Sequence, residues 1–258
     1  MHKDLFVDTQ QVPGYTPANH THTVNRRLID ERIGAKTFEL LLGTATSDGA
    51  AQEHYHPGID QLCYVLEGTA LTSVAGQTCA MEPGQACYFP SGRSHSMKAA
   101  SGQQIKVLVA YSPPYMERKS VGIAGPDPLS EPGSKKGIVP WPKPLFTQGA
   151  PAPTAEASLY PNCKVSHLVD GALMNAKGLN LERAEITGGV RTLLGPVQYE
   201  RAFFVLQGSM SVSLSGQSSE MNVGMTCFVP QGVAVAVESG ITQVSLLVFS
   251  APPSGLVS

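Results

Sequence analysis

The chain has 258 residues, 42% of them hydrophobic and 15% charged, with a formal net charge of −2, which suits one large core or two of modest size. That balance excludes a disordered chain and gives no general electrostatic reason to bind nucleic acid or an anionic membrane, so a small molecule is the expected partner. No run of about 18 apolar residues offers a membrane-spanning helix, and the opening M-H-K-D-L-F-V-D-T-Q lacks the apolar core of a secretory signal, so a soluble, cytoplasmic protein is expected.

Near the start, N-H-T-H-T sets His20 and His22 two apart with no acidic or glutamine ligand after them, and reads as an exposed arm that could exchange between subunits. L-I-D-E-R-I-G could make one or two helical turns. Beyond it, convincing 3.6-residue periodicity is scarce. Short alternating runs such as C-Y-V-L-E, I-K-V-L-V-A-Y and M-S-V-S-L lie between frequent glycines (26) and prolines (20), the texture of many short strands joined by tight turns. The expected class is all-β.

The run Q-E-H-Y-H-P-G-I-D-Q-L-C-Y-V-L-E-G carries the first chemistry. In a strand, residues two apart share a face, so His54 and His56 point together and can chelate one ion, while Glu53 and Tyr55 point away. If the next strand starts near Gln61, then Gln61, Cys63 and Val65 face inward and Gln61 lies beside the histidines. A further candidate, His95, follows a Pro90/Gly92 turn in G-Q-A-C-Y-F-P-S-G-R-S-H. Tyr55, Tyr88 and Tyr111 are candidates for a substrate-facing hydroxyl; half-buried barrel aromatics are the plainer reading of each. The five cysteines include no C-x-x-C pair and mostly fall in strand-like runs, as reduced core thiols would.

The segment from Gln61 to Gly92 returns as R-A-F-F-V-L-Q-G-S-M-S-V-S-L-S-G-Q-S-S-E-M-N-V-G-M-T-C-F-V-P-Q-G, offset by 140 residues at Gly68/Gly208, Gly84/Gly224, Cys87/Cys227 and Gly92/Gly232. Matches at turn glycines and core positions mean two copies of one β-module. The expected organisation is a first module over residues 1–115, a Pro/Gly-rich connector over 116–155 anchored by Trp141, and a second module over 156–258. In the second copy Leu194, Pro196, Arg201 and Val235 take the positions of His54, His56, Gln61 and His95. Every ligand is gone, so that copy is expected to be structural, with an anion held by Arg201 as the alternative; an inward arginine could equally pair with Glu200.

The spacings H-Y-H-x4-Q-x6-G and G-x5-P-S-G-x2-H resemble the two motifs of the cupins, G-x5-H-x-H-x3/4-E-x6-G and G-x5-P-x-G-x2-H-x3-N. The chain departs from that pattern at Gln61, where glutamate is usual, at Ala99 in place of asparagine, and at Gly49, one position early. The resemblance implies two tandem jelly-roll barrels, a bicupin, with one divalent metal (Fe, Mn, Zn or Ni) held in the first by His54, His56, Gln61 and His95. It also implies a homodimer or higher homo-oligomer. Because cupins serve many chemistries, the implied function is a metal-dependent, dioxygenase-like oxidoreductase acting on a small molecule, with Tyr111 as the catalytic hydroxyl. The alternatives are a non-redox isomerase, lyase or aminohydrolase, or a non-catalytic small-molecule or sugar binder.

Overall fold

The computed structural model describes residues 4–115, 122–129, 140–147, 154–156 and 162–252. The E-P-G-S-K-K-G stretch of the connector lies outside them. Among the described residues the chain runs through β1 (Phe6–Asp8), β2 (His20–Ile29), β3 (Glu39–Tyr55), β4 (Asp60–Glu67), β5 (Ala70–Val74), β6 (Gln77–Met81), β7 (Ala86–Phe89), β8 (His95–Ala99), β9 (Ile105–Ser112) and β10 (Ile123–Ala124). The others are β11 (Thr154–Glu156), β12 (Cys163–Val169), β13 (Asn180–Ile186), β14 (Arg191–Leu194), β15 (Glu200–Gln207), β16 (Met210–Leu214), β17 (Gln217–Met221), β18 (Met225–Val229), β19 (Val235–Ser239) and β20 (Val244–Ala251). A single turn of helix, α1 (Gly171–Met174), follows β12 under an Asp170 cap.

The fold is all-β, two tandem jelly-roll barrels. In the first half one sheet runs β6-β5-β8-β3-β9-β4-β7, with β2 and β10 also paired to β3. It curls into a nearly closed barrel because β3 is 17 residues long and serves two walls: Glu39–Ala45 pairs with β9, and the stretch from Ala50 to His54 pairs with β8. The bend between them depends on Gly49, where an added Cβ would sit 2.7 Å from the His22 carbonyl oxygen and from the Ala45 Cβ. In the second half the equivalent strand breaks at residues 187–190 into β13 and β14, leaving sheets ordered β1-β18-β15-β20-β13-β12-β11 and β14-β19-β16-β17.

The repeat survives in register. Gln61 faces Phe89 as Arg201 faces Val229, and His54 faces His95 as Leu194 faces Val235. At the hairpin glycine Gly68, φ is +73°, and a Cβ there would collide with the Gln104 carbonyl; Gly208, at φ +79°, would meet Gln243 in the same way.

Apolar side chains from both halves form one buried cluster, with Phe38 and Phe228 rings 6.5 Å apart across the junction. Each fully buried Phe, Leu or Val in it contributes about 1.5–3 kcal/mol. β1 crosses over, pairing Phe6 with Cys227 in the second-half sheet although its sequence belongs with the first module. Glu200 accepts hydrogen bonds from the Lys36 and Thr37 amides and the Thr37 hydroxyl, and Asp60 accepts from Gly178 N. Trp141 anchors its part of the connector, donating to the Met174 carbonyl at 2.8 Å beside Tyr88.

Two expectations are corrected. L-I-D-E-R-I-G makes turns, because the Asp30 carboxylate accepts from the Arg32 backbone N and Nε, and Gly34 at φ +106° ends the segment. N-H-T-H-T is no free arm. It is the start of β2, with His20 paired to Ala51 on β3, because β3 is long enough to offer β2 a partner past its bend. No helix among the described residues is long and apolar enough to cross a membrane.

Candidate metal centre

β3 ends on Tyr55, so His54 and His56 project from its last turn of pleat, while His95 opens β8 directly opposite His54. The three rings converge, with centroids 4.8 Å apart for His54 and His56, 4.5 Å for His54 and His95, and 5.2 Å for His56 and His95. One nitrogen from each lies within 4.8 Å of the others, and all three residues are buried. Gln61, near the start of β4, is buried too and lines the same cavity as His54 and His95.

The donor set fits a divalent cation. His54 Nδ1 lies 2.6 Å from the Gln52 carbonyl and His95 Nδ1 lies 3.1 Å from the Arg93 carbonyl. A ring that donates from Nδ1 keeps its lone pair on Nε2, where a metal would take it. His95 Nε2 and Gln61 Oε1 are buried with no hydrogen-bond partner, an expense that a cation relieves. Asp60, the carboxylate one residue from Gln61, is spent elsewhere: one oxygen accepts from Ser91 N and the other from Gly178 N.

Burial, followed by the neighbouring His54 and His56 charges, holds His95 well below the ordinary histidine range; burial also lowers His54. Both are neutral and ready to ligate near pH 7. The folded chain therefore binds fewer protons than the unfolded one as pH falls below the ordinary value of 6.5. Metal-free protein is expected to hold its full stability above that value and lose stability on acidification, as unfolded histidines protonate first. Thermal unfolding between about pH 8 and pH 5 checks this; a midpoint unchanged on acidification, or unaltered in its pH dependence by His95→Phe, would refute it.

The barrel contains a cavity of about 60 Å³. That is room for a handful of waters or a small ligand. Its walls are mainly apolar, Phe89, Met97, Val107 and Val109 among them, and its polar groups include His20 and Asn25 besides His54, Gln61 and His95. His20 was missed as a site residue. Its ring stands edge-on to His54, 5.8 Å away, with Nδ1 against the Ala18 carbonyl at 2.7 Å. H-x-H spacing was its only signal, and which strand would receive it was not readable locally.

Tyr111 sits opposite Gln61 on β9, its ring 5.6 Å from His56 and 5.2 Å from Tyr115, and it is not among the residues lining the cavity. Burial, then nearby Cys63 and Glu39, push its phenol well above the ordinary range, so it stays protonated. Tyr88 packs on Trp141, and Tyr55 pairs with Ile123 in β10. None of the cysteines is in a disulfide, and burial pushes Cys63 up to about 12, which leaves it inert at neutral pH.

The connector crosses the site. β10 pairs Ala124 with His54, and a Cβ on Gly122 would come within 2.8 Å of the Tyr115 hydroxyl and 3.4 Å of His56 Cε1. Asp127, fully buried, accepts from Ser94 N at 2.6 Å and lies 3.6 Å from Arg93 Nε. Arg93 in turn offers its carbonyl to His95, so Asp127 and Arg93 orient this candidate ligand from behind. Neither was singled out from sequence, where R-S-H and P-D-P are ordinary.

Residues 43–111 match the family described as Cupin domain. The tetracenomycin polyketide synthase protein TcmJ of Streptomyces glaucescens is 27% identical over 82 residues, covering 32% of this chain and 54% of that protein, so the chain matches about half the length of that curated relative. Among solved structures, the Lactobacillus farciminis oxalate decarboxylase formate complex superposes with a TM-score of 0.73 at 15% identity, over 97% of this chain and 87% of that one. A Bacillus subtilis oxalate decarboxylase studied for its Mn(II) centres gives 0.70 at 13% identity, over 96% and 77%. At such identities the likeness is one of fold.

Proposed function

We propose, with the cupin domain at residues 43–111 as the premise, that this chain is a metal-dependent enzyme. In this reading His54, His56, His95 and Gln61 hold one divalent ion, and a small oxygenated or enolisable compound reacts beside it. The observation that carries this is the convergence of three buried imidazoles next to a buried glutamine oxygen that nothing else satisfies. Three nitrogens and one amide oxygen suit iron, manganese, zinc or nickel. The Mn(II) centres named for the B. subtilis fold relative support manganese.

When bound, the ion supplies Lewis acidity and, for iron or manganese, redox chemistry. The chain's own residues do the rest. Phe89, Met97, Val107 and Val109 give the cavity an apolar wall, which strengthens the polar contacts inside it. Asn25 and His20 offer polar contacts for orienting the oxygens of a bound substrate. Tyr111, kept protonated, packs its ring against His56 and is a hydrogen-bond donor rather than a base.

Among the described cavity-lining residues there is no carboxylate to act as a general base. That favours dioxygenase-like oxidation over isomerase or aminohydrolase chemistry, which needs a proton shuttled on and off carbon or nitrogen. A lyase acting on a small dicarboxylate is the second reading, favoured by the shared fold with oxalate decarboxylases. Metal analysis followed by oxygen uptake and carbon dioxide release with enediols, diketones, flavonoids and oxalate separates the two. Oxygen uptake supports the first reading and anaerobic carbon dioxide release the second; protein that takes up neither iron, manganese, zinc nor nickel refutes both.

Gln61→Glu tests the ligand assignment. A carboxylate there should hold the ion about tenfold more tightly in a chelator competition and destabilise the metal-free protein, because its charge would be buried. An unchanged affinity would remove Gln61 from the ligand set.

A further inference from the structure

In the second barrel, Leu194 and Val235 meet across the β14–β19 ladder at the places of His54 and His95, so apolar contact replaces the metal centre there. Arg201, at the place of Gln61, is different. It is fully buried, the largest such side chain among the described residues. Nη2 donates to the Gly195 carbonyl at 3.1 Å and the guanidinium lies 5.6 Å from the Phe203 ring centroid, but Nε and Nη1 have no hydrogen-bond partner.

Glu200, the neighbour that could have neutralised it, faces the other way and is occupied by Lys36 and Thr37. Among the described residues no carboxylate forms an ion pair with Arg201. A guanidinium cannot escape burial by losing its proton, and cation–π contact with one phenylalanine offsets only part of the lost hydration. An anion would complete it. Gly195, whose carbonyl accepts from Nη2, is itself only partly buried, and a Cβ added to it would meet no atom within 4 Å. Ser250, directly across the β15–β20 ladder, adds a hydroxyl on the same face.

We infer that the second barrel holds a small carboxylate, bound by the free Nε and Nη1 donors of Arg201 beside Gly195. A carboxylate matches this fork better than a spherical anion, since its two oxygens can take parallel N–H donors. The second copy has thus exchanged a cation site for an anion site on the same strand position. The inference does not depend on the metal in the first barrel.

The test is calorimetric titration of the full chain with sodium acetate, at constant ionic strength against sodium chloride. Arg201→Gln should weaken acetate binding about tenfold or more, and Arg201→Lys should fall between it and the unmodified protein. His56→Ala should leave acetate affinity unchanged, which separates this site from any carboxylate binding at the first-barrel metal. Equal affinity in the unmodified protein and Arg201→Gln, or its loss in His56→Ala, overturns the inference. Should Arg201→Gln not fold, unmodified protein carrying ¹⁵N at arginine Nε replaces it: acetate, and not chloride, should move an exchange-protected Nε–H resonance. No movement at saturating acetate likewise overturns it.

Discussion

His95→Ala should strip the protein of its divalent ion and abolish turnover while leaving both barrels folded. Removing one of three converging imidazoles should weaken metal affinity by at least about 100-fold, since even groups that merely orient ligands are worth 10–100-fold. The barrel should survive because the second half closes on the same strand pairing with Val235 in that position. In the metal-free state the change should even relieve strain of a chemical kind, since it removes a buried imidazole nitrogen that has no partner. Metal content by elemental analysis, read beside circular dichroism, tests both halves of the expectation. Metal retained at full stoichiometry would dismiss the proposed centre, and collapse of the fold would show that the histidine is structural.

Asp127→Ala should be the most destabilising single change near the site. Its carboxylate is fully buried, takes the Ser94 amide at 2.6 Å and faces the Arg93 guanidinium at 3.6 Å. Truncation leaves a buried arginine without that counter-charge, a loss of about 3–5 kcal/mol. For a chain of this size that lowers the unfolding midpoint by about 10 °C. Metal affinity should fall as well, about 10–100-fold, because the Arg93 carbonyl that fixes the His95 ring would shift with its side chain. Asp127→Asn, which keeps an acceptor for Ser94 but not the charge, should lie between. Calorimetric unfolding and a chelator titration give the two numbers. A midpoint within a degree or two of the unmodified protein would mean that the connector is not fastened to the ligand loop through this residue.

The convergence of the three histidines was legible because strand geometry is local. His54 and His56 share a face by the period of two, and the Pro90/Gly92 turn sets His95 at a fixed distance beyond β7. The repeat was legible for the same reason: Gly68 and Gly208 recur where φ must be positive, and the two strands after each, β5 and β6 in one half and β16 and β17 in the other, match in length. His20 and Asp127 were not legible. His20 reaches the cavity only because β3 bends at Gly49 and carries β2 with it, and Asp127 reaches Arg93 from 34 residues along the chain. Neither partnership leaves a pattern in the neighbouring residues.

Sequence alone therefore determined the all-β class, the repeat at an offset of 140, the three histidines beside Gln61 and the replacement of all four residues in the second copy, since each depends on spacing within a strand or a turn. Tertiary structure decided what surrounds them. It pairs β1 with the second half, lays the connector over His56, brings His20 into the cavity, and turns Glu200 away from Arg201. These outcomes depend on which distant groups meet in a closed barrel, and burial then makes each unmatched hydrogen bond or charge costly enough to matter.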